Sequence, residues 1–195
     1  MLVGWYLRRA IPWMVLLGCC AGACVLVLAL DRWPSTALVM LPALLASCAA
    51  AAAFCFDEAA LEVVAVTPRG STWRRTARLG VAGLPLLVWS GAIVVRPGDL
   101  PLDRAAWWLV GFASIVLTAG IAALLSHRAV PAPGSTVATA AALAAISPVV
   151  VAPFFGWGSL YPVGGFGAGV LSFWLAVAGT GALVCVAALR PGVGN

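Results

Sequence analysis

The chain has 195 residues, of which 64% are hydrophobic and only 9% are charged, with a formal net charge of +5. Soluble domains carry about 25% charged residues, so this composition excludes a water-soluble domain and indicates a protein whose solvent is lipid. The sequence contains no lysine. A phosphate-binding loop of the GxxxxGK[ST] type is therefore excluded, because that loop requires a lysine.

Six apolar segments are long enough to be membrane spans, since a span needs about 20 residues and tolerates fewer where the bilayer adapts. In chain order they cover about residues 11–30, 36–56, 79–95, 105–125, 136–151 and 166–189. Only short loops and one polar block, residues 57–78, separate them. The sequence predicts an all-α integral membrane protein, with residues 1–195 forming a single domain of six transmembrane helices.

The arginines divide unequally between the two sides that this topology defines. Eight share the side of the two termini: Arg8, Arg9, Arg69, Arg74, Arg75, Arg78, Arg128 and Arg190. Three lie on the other side: Arg32, Arg96 and Arg104. The positive-inside rule then predicts cytoplasmic termini and a cytoplasmic polar block. Arginine facing anionic lipid accounts for the net charge, so we expect no nucleic-acid partner.

Tryptophans near the predicted span ends are typical of interfacial aromatic belts. They are Trp33, Trp107 and Trp108 near the outer ends, and Trp5, Trp13 and Trp73 near the inner ends. The absence of lysine, together with abundant alanine, valine and arginine, is typical of a GC-rich bacterial genome. The sequence thus predicts a multi-pass protein of a bacterial plasma membrane.

Residues that carry chemistry are scarce and scattered. The only histidine, His127, lies in a loop, and the six cysteines form no CxxC pair. All six acidic residues lie at span ends or in loops, whereas ion-coupled transporters usually keep an ionisable group inside a span. We expect a chain that is not an enzyme and holds no cofactor or metal of its own.

The polar block contains the most elaborate pattern in the sequence. Asp57 and Glu58 open a predicted short helix whose apolar face carries Leu61 and Val64, and Pro68 ends it. A basic segment, residues 71–78, then leads into the third span. The apolar face of this helix has no soluble core to cover. It fits either a groove on another protein or the lipid surface.

The stretch "EAALEVVAVTPRGSTWRRTARLG" resembles the coupling helix of bacterial ABC exporter permeases of the type-2 class. In that family a glutamate, a Leu-Glu pair, two apolar residues and a Thr-Pro turn precede a basic helix between spans two and three. The positions that match, and that the resemblance assigns to coupling with an ATPase, are Glu58, Leu61, Glu62, Val64, Thr67, Pro68 and Arg69. The amino-terminal segment "MLVGWYLRR" is shorter than usual in the family, and a large extracellular domain is missing.

The resemblance implies a transport subunit driven from outside. Its partners would be two copies of a cytoplasmic ABC ATPase, which bind ATP and Mg²⁺, and a second permease, identical or homologous. The spans are rich in alanine and aromatic residues and carry no fixed charge. This favours an amphipathic or hydrophobic cargo, such as an antibiotic, a lipid or a modified peptide.

A second feature of the family, an outer re-entrant hairpin before the last span, corresponds here to "PFFGWGSLYPVGGFG". Prolines and glycines concentrate at this membrane end, which predicts a broken helix that gates release of the cargo. The candidate gate residues are Pro148, Phe154, Phe155, Trp157 and Tyr161.

Two other functions fit the same topology. One is the substrate-binding membrane subunit of a vitamin importer, which would dock on a separate membrane protein and needs no coupling helix between spans two and three. The other is a non-transporting assembly or immunity protein. A neighbouring gene that encodes an ATPase would favour the exporter.

Overall fold

The computed structural model describes residues 2–57, 71–95, 103–128, 130–155, 160–162 and 167–190. Every regular element in these ranges is helical. The α-helices are α1 (Leu2–Ala10), α2 (Trp13–Arg32), α3 (Ala37–Phe54), α4 (Ser71–Val81), α5 (Gly83–Val95), α6 (Arg104–His127), α7 (Pro133–Phe155) and α8 (Ala168–Leu189). A single 3₁₀ turn, Pro34–Thr36, joins α2 to α3.

The six predicted spans are confirmed among the described residues, where six helical segments are long and apolar enough to cross a membrane. The chain is thus a multi-pass membrane protein by helix length and composition. The third span differs most from its prediction. It begins at Trp73 rather than near residue 79, because the basic helix α4 continues into α5 through a single turn residue, Ala82.

Helix α3 lies at the centre of the bundle and is the most buried of the spans. Its second half is a run of alanines, which lets neighbouring helices approach closely. Its main neighbour is α7. A Cβ atom on Gly134, at the start of α7, would lie only 2.5 Å from the Ala53 carbonyl oxygen, so this junction requires glycine.

Helices α6 and α8 form the second close pair. A Cβ atom on Gly181 would lie 2.8 Å from the backbone nitrogen of Leu117, and one on Gly120 would lie 3.2 Å from the Gly181 carbonyl oxygen. The two backbones therefore touch where both helices carry glycine. This is the small-residue packing that membrane helices use in place of a hydrophobic driving force.

The bundle thus contains two tightly packed pairs, α3–α7 and α6–α8, and α6 and α7 meet much less extensively. We call the boundary between α6 and α7 the seam. The end of the bundle where α1 begins and α8 ends is called the terminal end, and the other is called the far end. The candidate functional site lies in the seam.

Candidate functional site

A cavity of about 530 Å³ occupies the seam. Helices α3, α6, α7 and α8 and the short segment 160–162 provide its walls. The lining residues include Ser114 and Thr118 of α6, Thr136, Ala141 and Ala144 of α7, and Trp174 of α8. Small-molecule sites typically measure about 300–1,000 Å³, so the cavity is large enough for such a molecule.

The cavity exists because α7 presents a row of small side chains to the seam. Ala140, Ala141, Ala144 and Ala145 recur at helical spacing on the face towards α6. On the facing helix, Leu117 and other larger side chains line the opposite wall but do not fill the space. Alanine at these positions leaves a cavity rather than a backbone contact.

Tyr161 joins the two sides of the seam at the far end. Its ring stacks on Trp107 of α6, with centroids 5.6 Å apart and planes 7° from parallel, and on Trp174 of α8 at 6.2 Å. Its hydroxyl donates a hydrogen bond to the carbonyl of Ala145 in α7. Burial raises the pKa of the Tyr161 phenol to about 12, so the group is protonated and remains a donor at neutral pH.

Tryptophan side chains hold the segment 160–162 between the helices. The indole nitrogen of Trp107 donates to the Pro162 carbonyl at 3.2 Å, and that of Trp174 donates to the Leu160 carbonyl at 2.9 Å. Trp89 of α5 in turn donates to the carbonyl of Trp107 at 3.1 Å. Backbone that is not helical must be satisfied by protein at membrane depth, and these indoles provide two of the donors.

One aromatic-belt prediction is wrong. Trp107 was expected at the outer interface, but it is only 2% exposed and packs in the core. Trp33 and Trp108 are 57% and 42% exposed, as an interfacial position requires. Adjacent tryptophans on a helix face directions about 100° apart, so only one member of the Trp107–Trp108 pair can face outward.

The candidate gate residues separate in the structure. Pro148 and Tyr161 line the cavity, whereas Phe154 and Phe155 are 83% and 64% exposed at the end of α7. Trp157 lies outside the described residues. The expected break in the fifth span is absent at Pro148, since α7 continues to Phe155.

Pro148 lies within helix α7, close to the contact that Tyr161 makes with this helix. Proline lacks the N–H that would bond the carbonyl four residues earlier, that of Ala144. The Tyr161 hydroxyl bonds the carbonyl of Ala145 from outside the helix. The carbonyl that Tyr161 bonds is therefore the one next to the carbonyl that the proline leaves without its helical donor.

At the terminal end, Asp57 connects the end of α3 to the start of α7. Its carboxylate accepts hydrogen bonds from the backbone N–H groups of Gly134, at 2.6 Å, and Ser135, at 3.0 Å. These are first-turn donors that have no partner inside the helix. A carboxylate there also opposes the positive end of the helix dipole. Sequence reasoning placed Asp57 at a helix start but could not find its partner, which lies 77 residues away.

Two arginines of α4 are buried and bond carbonyl oxygens at the terminal end. Arg78 donates to the Phe56 carbonyl at 3.2 Å and to the Tyr6 hydroxyl at 3.0 Å. Arg75 donates to the carbonyl of Ala188 near the end of α8. The positive-inside pattern found these arginines, but it treated them as surface charge rather than as packing residues.

The seven predicted coupling residues, Glu58 to Arg69, lie outside the described residues. The structure does describe both flanks of that segment. Asp57 precedes it directly, and α4 follows it with Arg75 and Arg78. Each flank is fixed by hydrogen bonds to a different spanning helix, so the segment is anchored to the bundle at both ends.

No group of three or more histidine, cysteine or acidic residues with metal-binding geometry occurs in the part of the chain that the structure describes. All six cysteines are free thiols, and Cys48 and Cys55 are buried, as packing residues would be.

Comparison of the chain with protein-family models, with curated proteins and with solved structures finds no match.

Proposed function

We propose that the protein is the membrane permease subunit of an ATP-driven transporter of the ABC class, an exporter of a hydrophobic or amphipathic compound. The ATPase is a separate cytoplasmic protein present in two copies, and a second permease completes the assembly. The proposal depends above all on one observation: an apolar cavity lies between α6 and α7, which contact each other much less than the helices of the two tight pairs do, and it is bridged at its far end.

The seam is suited to open and close. The two tight pairs α3–α7 and α6–α8 are rigid, because their backbones meet at alanine and glycine. Motion of packed helices occurs as displacement of such rigid units about a weaker contact. At the far end, separation of the pairs would have to break the contacts of Tyr161. A transporter needs a cavity of this kind, closed by a contact that can be released.

We infer that residues 58–70 drive that motion. Asp57, which precedes them, bonds α7, and α4, which follows them, bonds α8 and the Phe56 carbonyl just after α3. A displacement of residues 58–70 by an ATPase would therefore act on helices from both rigid pairs. This supports the coupling role proposed for Glu58, Leu61, Glu62, Val64, Thr67, Pro68 and Arg69.

In this proposal the terminal end is cytoplasmic and the far end faces outward, in a bacterial plasma membrane. Single cysteines placed in a cysteine-free protein at Ser71 and Ser135 should react with an impermeant reagent only from the cytoplasm. Cysteines at Gly98 and Ser159 should react only from outside. Exterior labelling at Ser71 would contradict the proposal, because the block could no longer meet a cytoplasmic ATPase.

Recovery of an ATPase on the purified permease tests the function itself. We expect an ATPase with Walker motifs to copurify with the wild type and to be lost with Glu62→Arg and Leu61→Asp. The matched control is Asp31→Arg, the same charge change at an exposed position of the far end. Equal recovery of the ATPase with all three variants would exclude a coupling role for residues 58–70. If the block lies on lipid instead, Glu62→Arg should strengthen membrane contact by about 1 kcal/mol.

A second candidate is the substrate-binding membrane subunit of an importer. Such a subunit would recover an ATPase only through a third, membrane-spanning protein. Direct recovery by the isolated permease distinguishes the exporter from this candidate.

A further inference from the structure

Among the described residues, those that line the seam cavity carry no ionisable side chain other than the protonated phenol of Tyr161. Its remaining polar atoms are the hydroxyls of Ser114, Thr118 and Thr136 and the indole of Trp174. Moving an ion into such a space costs far more than moving a neutral molecule, because nothing compensates its lost hydration. The side chains of the cavity therefore select against charged ligands.

The start of α7 could still have favoured an anion, since Thr136 and Val137 line the cavity close to the positive end of that helix. The Asp57 carboxylate already occupies this position. It accepts the N–H groups of Gly134 and Ser135 and supplies a negative charge there. An anionic ligand would thus meet a carboxylate rather than free N–H groups, so the start of α7 does not favour an anion.

Three of the four hydroxyl groups that line the cavity restrict the ligand further. Thr118 donates its proton to the Ser114 carbonyl at 2.7 Å, Thr136 donates to the Ala132 carbonyl at 3.3 Å, and Tyr161 donates to Ala145. A hydroxyl that has given its proton to a carbonyl can offer a ligand only its lone pairs. Thr118 is 6% exposed and lies one helical turn from Ser114, so the two form one small polar spot on an apolar wall.

We propose that the seam cavity binds an uncharged, mainly apolar molecule that carries a hydrogen-bond donor, such as a hydroxyl or amide N–H, directed at Thr118 and Ser114. That this molecule is the transported cargo rests on the proposed function, whereas its binding to the isolated permease does not. The indole of Trp174 lines the same cavity and reports on its occupancy.

Fluorescence quenching by brominated probes tests this inference. Purified permease without any ATPase is placed in phosphatidylcholine–phosphatidylglycerol nanodiscs and titrated at pH 8 with 11-bromo-1-undecanol, 11-bromoundecanoic acid or 1-bromoundecane. The Trp174 signal is the difference between the wild type and Trp174→Phe. We expect saturable quenching by the alcohol, at least tenfold weaker binding of the ionised acid, and binding of the bromoalkane weaker by about three- to tenfold for the missing hydrogen bond.

Two sets of variants separate the cavity from simple partition into lipid. Ala141→Leu extends into the cavity and should weaken saturable quenching, while Ala176→Leu, the same change on an exposed face of α8, should not. Ser114→Ala with Thr118→Val should remove the preference for the alcohol over the bromoalkane. If Ala141→Leu does not fold, Val177→Phe, which fills the cavity from α8, takes its place.

Three results would overturn the inference. The first is quenching that rises linearly with the alcohol and is equal in the wild type and Ala141→Leu. The second is binding of the ionised acid that is as tight as that of the alcohol or tighter. The third is saturable binding only in lipid-free detergent, which would show that a lipid acyl chain fills the cavity. Saturable alcohol binding without recovery of an ATPase would leave this inference standing and refute the proposed function. Recovery of an ATPase without binding would do the reverse.

Discussion

Two of the contacts that α6 makes, with α8 and with α7, use small residues to opposite effect. Against α8, glycines on both helices bring the backbones together, so that a single added Cβ at Gly181 would lie 2.8 Å from a backbone nitrogen. Towards α7, by contrast, the two helices stay apart. The alanines of α7 line a cavity of about 530 Å³ instead of contacting α6 closely. Small residues therefore do not by themselves specify close packing.

The two contacts differ because different side chains lie between the helices and set the distance between their axes. Nothing bulky stands between α6 and α8 at Gly120 and Gly181, so the helices close on each other. At the far end of the seam, Tyr161 and the two tryptophans on which it stacks occupy the space between α6, α7 and α8. Substitutions that change one of these features at a time therefore separate their contributions.

Removal of the Tyr161 side chain should have the largest effect. Tyr161→Ala loses two stacked rings and a buried hydrogen bond, and we expect it to lower the free energy of unfolding by about 3 kcal/mol. Tyr161→Phe should cost about 1 kcal/mol, the value of the hydrogen bond alone. Denaturant unfolding in detergent measures both. Phe154→Ala, at a position 83% exposed, is the control and should hardly change the free energy of unfolding. A loss of stability in this control as large as that of Tyr161→Ala would show that Tyr161 is not the bridging residue.

Gly181→Ala should come next, because the added methyl group meets backbone rather than a flexible side chain. We expect a loss of about 2 kcal/mol, within the range of overpacked cores. Gly179→Ala, two residues away on the same helix and with nothing within 4 Å of the new methyl group, is the matched control. The same unfolding assay applies, and equal stability of the two variants would mean that α6 and α8 are not in backbone contact.

Asp57→Ala should cost about 1 kcal/mol, the usual value of a helix N-cap. The cause is that the N–H groups of Gly134 and Ser135 lose their acceptor. Asp57→Asn keeps one acceptor oxygen and should cost less. Hydrogen exchange at these two amides measures the effect locally, and protection unchanged from the wild type would refute the bond. Asp31→Asn, at an exposed position of the far end, serves as the control.

Ala141→Leu should have the smallest effect on stability, within about 0.5 kcal/mol, since the cavity can accommodate the added atoms. This variant is directly comparable with Gly181→Ala. It adds more atoms, but it adds them to the cavity between α6 and α7 rather than to the close contact between α6 and α8. Thermal unfolding in detergent suffices as the measurement. A loss greater than that of Gly181→Ala would show that the seam is as tightly packed as the α6–α8 pair.

Much of the fold could be predicted from sequence, because span length and apolar composition are local properties. All six spans were found, with ends that mostly differ by a few residues. The third span begins earlier than the apolar pattern predicts, because its first residues include Arg74, Arg75 and Arg78, which no apolar criterion counts as part of a span. The structure buries Arg75 and Arg78 against carbonyl oxygens of other helices, a pairing between distant residues that no local pattern contains.

Less of the site could be predicted. Tyr161 and Pro148 were selected from the density of proline, glycine and aromatic residues, and both line the cavity. Phe154 and Phe155, selected on the same ground, face outward. The cavity itself depends on which alanines face which helix, and Asp57 depends on a partner 77 residues away. Both are products of tertiary arrangement.

The central claim is that the seam opens towards each side of the membrane in turn, driven by a partner ATPase. A single cysteine at Ala140, in the cavity wall, tests it in a cysteine-free permease reconstituted with the copurified ATPase in vesicles. An impermeant maleimide is applied from one side or the other, without nucleotide and with ATP and vanadate. The account predicts that trapping the ATPase increases labelling from one side and decreases it from the other. Labelling that stays on one side, or is unchanged by trapping, would contradict it.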